Sequence, residues 1–463
     1  MRISEILNKL QSTTKRNEKT AILESLKGGP DEDLFKRVAW LTYEPTVNFW
    51  VKDVDFSEQK EVNNLFEQLD IEVCLEKSLD VLQNNIAERV VTGNAAHDLI
   101  IKTYHGLPDE EKGTFKSVIH RDLKVGVSKK TLNKVWPDLI YDHPYMRASS
   151  FSVKNLKRIV FPCFSQTKED GEYEDIIIND QIDIRSRSGA KNNHHASTGL
   201  LWALRNNINI DITLQGEVLV FEDATRQKIM PRQKGNGYLN SNDVDPERLL
   251  HVFWDAVPYK DFKEGVCKTP YTERFDMLKR IVGALRQDTD QVNIIDSRIV
   301  NSVDEIIDHF KKNVEAGKEG VLVKNTDMQW KDGDSKDQVK VKVEFECELK
   351  IVGFNQGKIL GEWADIVGSI ISESVEGKLL TNVGTGITDE LREEMYRNQS
   401  SYIGSIITVR SNDVIANELK PDKMSLFLAR LIKFRPDKTE ADTYDRIIEQ
   451  KEAFIYTLKA IED

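Results

Sequence analysis

Cysteine is scarce. Cys74, Cys163, Cys267 and Cys347 are the only four in 463 residues, and no two stand as CxxC. That removes the usual thiolate clip for structural zinc. So few thiols in so long a chain also exclude a disulfide scaffold. Histidines offer no metal-ligand spacing, because His194 and His195 are adjacent and chain neighbours do not face one site. Long apolar runs are missing: no stretch approaches the roughly 18–20 residues that a bilayer span requires. The opening MRISEILNKLQS is interrupted by Glu5 and Lys9, the pattern of an amphipathic helix and not of a secretory signal. A cytoplasmic protein with no membrane partner is expected. Positive charge is in deficit, with 65 Lys and Arg against 77 Asp and Glu and a net charge of −12. This argues against a bulk nucleic-acid coat but leaves room for a local basic groove. Internal repeats and low-complexity linkers are absent.

What is present describes a globular chain, 39% hydrophobic and 31% charged, long enough at about 150 residues per domain for about three domains. Its first third reads as helical. Ile3, Ile6, Leu7 and Leu10 recur at helical spacing, and SLDVLQNNIAERVV and NAAHDLIIKTY behave similarly. Strand-like runs are scarce before residue 155. Beyond it, IVFPCFSQ, DIIIND, EVLVF and GVLVKN look like strands, with helical ASTGLLWALRNN between them. In FECELKIVGF, Phe345, Cys347, Leu349 and Ile351 alternate with polar residues, and IGSIITVRSNDV is a second strand candidate. With helix DELREEMYRN inserted, the pattern predicts a small barrel of the OB type. A final helix is predicted from about Thr443 to Ala460.

Charge is concentrated between Lys112 and Val160, where eleven basic side chains stand against three acidic ones, a net of +8. A solvated helix face has this look. So does a surface that meets phosphate backbone, for which Gly126 and Ser128 suit close approach to main-chain N–H groups.

The residues richest in chemistry are Lys168-Glu169-Asp170-Gly171, after the strand-like VFPCFSQT. A lysine at a strand end, beside a turn-forming Asp-Gly, can point its amine into a pocket. It is a nucleophile only when deprotonated, a state favoured by desolvation and nearby cations. Alone, K-x-D-G is equally an ordinary solvated turn. An ordered series gives it weight: Ser186-Arg187-Ser188-Gly189, Gly216-Glu217, Trp254-Asp255, Glu319-Gly320 through Lys324, Lys340-Val341-Lys342, and Arg435-Pro436-Asp437-Lys438. Each has a bland reading as a strand-edge carboxylate, core aromatic or solvated lysine tip. Together they point to one site.

This series resembles the covalent nucleotidyltransferase superfamily and, within it, the ATP-dependent DNA ligases of the T-even bacteriophage type. The resemblance covers nearly the whole chain. Thr92 to Ala96 (TGNAA), Arg121-Asp122-Leu123-Lys124, Asn133-Lys134-Val135-Trp136-Pro137 and Ala148-Ser149-Ser150 are similar to the helical DNA-binding domain of those ligases, which capping enzymes and RNA ligases lack. The resemblance implies a multidomain α+β protein. Residues 1–138 would form an all-helical DNA-binding domain, 139–344 an α+β nucleotidyltransferase (ATP-grasp-like adenylation) domain, and 345–463 an OB-fold β-barrel. It implies a monomer in the host-cell cytoplasm that uses ATP and Mg²⁺ to seal nicked double-stranded DNA in replication, repair and recombination.

Site roles follow from the same resemblance. Lys168 would take AMP from ATP, Gln166 would read adenine, and Trp254 would stack on the base. Arg187 would contact phosphate, while Glu217 and Glu319 would orient ribose and hold Mg²⁺. Lys340 and Lys342 would neutralise the α-phosphate, and Arg435, Asp437 and Lys438 would align pyrophosphate. Arg121, Lys124, Gly126, Ser128, Lys129 and Lys134 would meet DNA. Two departures stand out: Tyr173 holds the family's arginine position at the nucleotide, and Gln215 holds the acid before the strand glutamate. An RNA ligase of the same superfamily is the alternative enzyme, and a non-catalytic DNA clamp the alternative class.

Overall fold

The computed structural model describes residues 3–51, 54–57, 74–241, 243–316, 318–357, 366–417 and 420–459, so the expected helix end at Ala460 lies outside the described residues. The chain divides into two compact units, residues 1–143 with Ser188–Lys191, and residues 144–187 with 192–463. No described helix is long and apolar enough to cross a membrane.

In residues 1–143 every described regular element is helical: α1 (Ile3–Gln11), α2 (Arg16–Glu24), α3 (Glu32–Tyr43), α4 (Leu75–Asp80), α5 (Gly93–Gly106), α6 (Asp109–Ile119) and α7 (Lys129–Val135). The stripe read from the sequence is the buried one, Ile3, Ile6, Leu7 and Leu10. Each such side chain contributes about 1.5–3 kcal/mol when fully buried. They join Phe35, Val38 and Leu41 of α3 and Phe115 and Val118 of α6 in one core. Helix α4 runs on into a π-helical stretch at Val81–Ala87. Ser128 caps α7 by accepting from the Thr131 N–H, which satisfies one of the orphan donors at a helix start.

The second unit holds the strands, in chain order β1 (Met146–Ser150), β2 (Cys163–Lys168), β3 (Glu172–Ile178), β4 (Ile182–Ser186), β5 (Ile212–Val220), β6 (Leu249–Pro258), β7 (Val266–Cys267), β8 (Val292–Ile294), β9 (Ser297–Val300), β10 (Gly320–Asn325), β11 (Trp330–Lys331) and β12 (Gly333–Lys342). One five-stranded sheet has the order β1-β12-β10-β2-β9, a second has β4-β3-β5-β6-β8, and β7 and β11 form a ribbon. Phe164 of β2, Ile176 of β3, Leu214 of β5 and Phe253 of β6 share a core with Tyr271, Phe275 and Leu278 of the helix Tyr271–Leu285.

A third sheet follows, from β13 (Phe345–Gln356), β14 (Val367–Glu373), β15 (Leu380–Val383), β16 (Ile406–Ser411) and β19 (Arg430–Phe434), in the order β15-β14-β13-β16-β19. The hairpin β17 (Asp413–Ala416) and β18 (Met424–Phe427) stands beside it in sequence. The alternation read in β13 holds, with Phe345, Cys347, Leu349 and Ile351 buried. No ladder closes this sheet into a barrel among the described residues. Its core is continuous with Val321, Val323, Val339 and Val341 of β10 and β12. The last helix is Tyr444–Lys459.

Candidate active site

Strand register assembles the site. Across β2, β10 and β12, Lys168 pairs with Gly320 and Gly320 with Lys342, while Gln166, Leu322 and Lys340 form a second row two residues away. A period of two puts each strand's pair on one face. Gly320 sits at φ +147°, and a Cβ there would collide with the Val341 carbonyl oxygen. Only glycine lets the three strands close at this point. Glu319, immediately before it, is thereby set between two lysines. Its carboxylate pairs with the Lys168 amine, and Lys342 Nζ lies 3.5 Å from its other oxygen. Gly171, closing the Lys168–Gly171 turn, packs so tightly on β5 that a Cβ would lie 2.6 Å from the Val218 oxygen. Its N–H donates to Glu217 Oε2 at 3.2 Å, tying the turn to the second sheet.

Burial and charge compete here. Burial disfavours the Lys168 ammonium, but Glu217 and Glu319 outweigh it and hold this amine above the ordinary lysine range. Burial pushes Glu217 up to about 7 against the pull of Lys168. Burial also raises Glu319, yet Lys168 and Lys342 bring it below a normal carboxyl. Lys340 is pushed down by burial first and then by Lys342, Lys168 and Arg187, so four cations converge. Such a cluster suits a polyanion. The turn's own acids are engaged from outside it, Asp170 by Arg232 at 2.9 Å and Glu169 by Lys318 at 2.5 Å.

The remaining predicted groups take varied positions. Trp254, half-buried on β6, has its ring 5.7 Å from Tyr173. Tyr145 stands edge-on to Tyr173 at 4.9 Å, and the Arg187 guanidinium lies 4.5 Å from the Tyr145 ring centre. Gln166 is buried with both ends of its amide occupied. Nε2 donates to Ser297 Oγ at 2.8 Å, and Oε1 lies 3.0 Å from the Tyr271 hydroxyl, itself 2.6 Å from the Trp254 carbonyl. Arg435 is held by Glu348 and by both oxygens of Asp437, at 2.8 and 2.6 Å. Lys438 lies 3.8 Å from Glu348. Sequence reasoning missed Tyr145, Arg232, Lys318 and Glu348, because nothing in their spacing marks partners that lie 28 to 149 residues away.

Among the described residues no group of three or more His, Cys, Asp and Glu side chains is arranged to hold a metal. Two carboxylates, Glu217 and Glu319, act on the Lys168 amine. That donor set fits Mg²⁺ carried in on a nucleotide, since this ion takes one or two protein carboxylates and fills its other positions with phosphate and water.

On the helical unit, Lys124, Gly126, Ser128 and Lys134 are exposed and Lys129 is half-buried. Arg121 is turned inward. Its guanidinium donates to the Leu41 and Glu44 carbonyls at 3.0 and 2.6 Å, capping the end of α3. Arg121, Lys124 and Gly126 all adopt left-handed backbone, at φ 60°, 54° and 59°. Lys19 of α2 is buried beneath this loop and donates to the Val125 carbonyl and, at 3.4 Å, to that of Gly126.

Strand-set lysines, two carboxylates and an aromatic wall make a centre suited to a nucleoside polyphosphate. Residues 145–342 match the family described as ATP dependent DNA ligase domain. The DNA ligase of Enterobacteria phage T4 is 28% identical, covering 96% of this chain and 98% of its own length, and that of phage T6 shows the same figures. The solved structure described as "Pmar-Lig_PreS3" aligns with a TM-score of 0.71 at 23% identity, covering 94% of this chain and 99% of its own, a likeness of fold. Over residues 145–342, and at 28% identity over nearly its whole length, the chain is similar to ATP-dependent DNA ligases.

Proposed function

We propose that this ligase seals 5′-phosphate/3′-hydroxyl nicks in duplex DNA through a Lys168–AMP intermediate. The Lys168 amine in its neutral form attacks the ATP α-phosphorus, a P–N bond forms, the bond to pyrophosphate breaks, and the proton displaced from nitrogen leaves to solvent. AMP then passes to the 5′-phosphate of the nick, and attack by the 3′-hydroxyl releases it. The observation that carries this reading is the Lys168–Gly320–Lys342 row with Glu319 set into it. It gives the nucleophile a neighbouring cation, Lys342, with Lys340 two residues along the same strand, for the negative charge that grows on phosphate, so positioning and electrostatics supply most of the catalysis.

Lys340, Lys342 and Arg187 receive the phosphates, and Trp254 stacks on adenine. Gln166, occupied at both ends, supports the Trp254 strand through Tyr271. Glu217 and Glu319 would hold Mg²⁺, which supplies charge neutralisation when bound. Arg435, Asp437 and Lys438 belong to a C-terminal OB-type domain, residues 345–463, that attends pyrophosphate departure and then the DNA. Residues 1–138 bind the duplex through Lys124, Gly126, Ser128, Lys129 and Lys134, with Arg121 bracing the loop. The adenylation domain is 139–344, and the working form is a monomer.

ATP labelled at the α-phosphate tests this directly. Wild-type protein is expected to retain label in acid, and nicked duplex DNA to discharge it into a sealed strand. Lys168→Ala is expected to take up no label while keeping its fold and its affinity for nicked DNA. Wild-type labelling of that variant overturns the assignment.

A further inference from the structure

The two departures in the sequence, Tyr173 and Gln215, are hydrogen-bonded to each other. The direction of each bond is fixed from one end. Buried Trp330 has only a donor, and its Nε1–H reaches Gln215 Oε1 at 2.7 Å. That turns the Gln215 amide nitrogen toward the Tyr173 hydroxyl at 2.9 Å and toward Asp175 Oδ1 at 3.1 Å. The Tyr173 hydroxyl thus accepts from Gln215 and gives its one proton to Asp175, whose oxygens lie 2.9 and 3.0 Å away. No proton remains on it for a substrate. Burial, and the Asp175 carboxylate with it, pushes this phenol well above its ordinary range, so it stays neutral.

What Tyr173 offers the site is therefore its ring. Trp254 packs at 5.7 Å on it, and Tyr145 meets it edge-on at 4.9 Å. Tyr145 in turn presents its face to Arg187 at 4.5 Å, a cation–π distance. Arg187 stands near enough to Lys340 to disfavour its charge. The wall thus begins at an indole suited to a base and ends at a guanidinium suited to phosphate.

We propose that Tyr173 and Tyr145 are positioning residues for the nucleotide. The Trp330–Gln215–Tyr173–Asp175 chain clamps Tyr173 as a spacer between Trp254 and Tyr145, and the Tyr145 ring holds Arg187 in place for phosphate. Tyr173 acts through its neighbours and makes no polar contact with ATP. This rests on the lysyl-AMP reading.

The test is single-turnover labelling of full-length protein with α-labelled ATP over a range of concentrations, with Lys168→Ala as the blank. Tyr145→Leu is expected to raise the half-saturating ATP concentration about 3- to 30-fold, the span of cation–π contacts from exposed to desolvated. Its maximal rate should stay within about twofold, because the lysine row is untouched. Tyr145→Phe, which keeps the ring, is expected to recover most of that loss. Arg187→Lys keeps the charge, loses the planar stack and lies outside the core, so it reads the same contact if Tyr145→Leu does not fold. A rise of similar size is expected. In the double variant the two losses should be less than additive. Half-saturation at the wild-type value in Arg187→Lys overturns the proposal, as does failure of Tyr145→Phe to improve on Tyr145→Leu. An unlabelled wild type is a different failure, which overturns the lysyl-AMP reading and this proposal together.

Discussion

At single residues, burial decides which charges this protein can carry. His195 is 1% exposed, and burial pulls its imidazole down to about 4. Between about pH 4 and 6.5 the unfolded chain binds the proton that the folded one refuses. Stability is therefore full above pH 6.5 and is lost as pH falls toward 4, by up to about 3 kcal/mol from this group. Urea midpoints at pH 7, 6 and 5 should fall more steeply for the wild type than for His195→Leu, and parallel curves would show that His195 is not the source. Some residues were legible as types but not as orientations. Lys168, Glu217, Glu319, Lys340 and Lys342 come together as their motifs imply. Arg121 reads as a surface cation, yet its guanidinium closes a helix end, because the carbonyls it needs lie 77 and 80 residues away in the chain. Glu348 falls at an outward position in the β13 alternation and is nevertheless buried at 8% exposure. Its partners Thr408 and Arg435 lie on other stretches of chain that no local pattern reveals.

Among elements, the three-strand junction is the most exacting. Gly320→Ala must clear the Val341 carbonyl and hold φ +147° with a side chain, so a loss of about 2–4 kcal/mol in urea unfolding is expected. Self-adenylation should fall by at least about tenfold, since the Lys168–Glu319–Lys342 row is keyed to this contact. Gly283→Ala is the contrast. It lies in the helix Tyr271–Leu285 with open space around it, and should stabilise by about 0.5–1 kcal/mol. Equal stability changes in the two variants would refute the steric account. Periodicity made most elements visible: the stripe of α1, the buried runs of β2, β5 and β10, and the alternation of β13. The pairing of those strands was not visible. Lys168 and Gly320 stand 152 residues apart, and register between such segments is set by tertiary packing.

For the whole molecule the governing contrast is a net charge of −12 with a local +8 between Lys112 and Val160. Duplex affinity should therefore fall steeply with salt, and Lys134→Ala should make the log–log slope shallower by about 0.9, the value for one lost phosphate contact. Binding titrations at several salt concentrations measure both; a flat wild-type slope would mean that the band is only solvated. The scarcity of cysteine has its own outcome. Cys163, Cys267 and Cys347 are buried, the first with its thiol pushed up to about 12, and the other two also raised by burial. Cys74 alone is partly open to solvent, at the threshold of α4. The native chain thus carries its own single attachment point for a maleimide dye, and the helical unit could be followed by fluorescence through a catalytic cycle with no residue replaced.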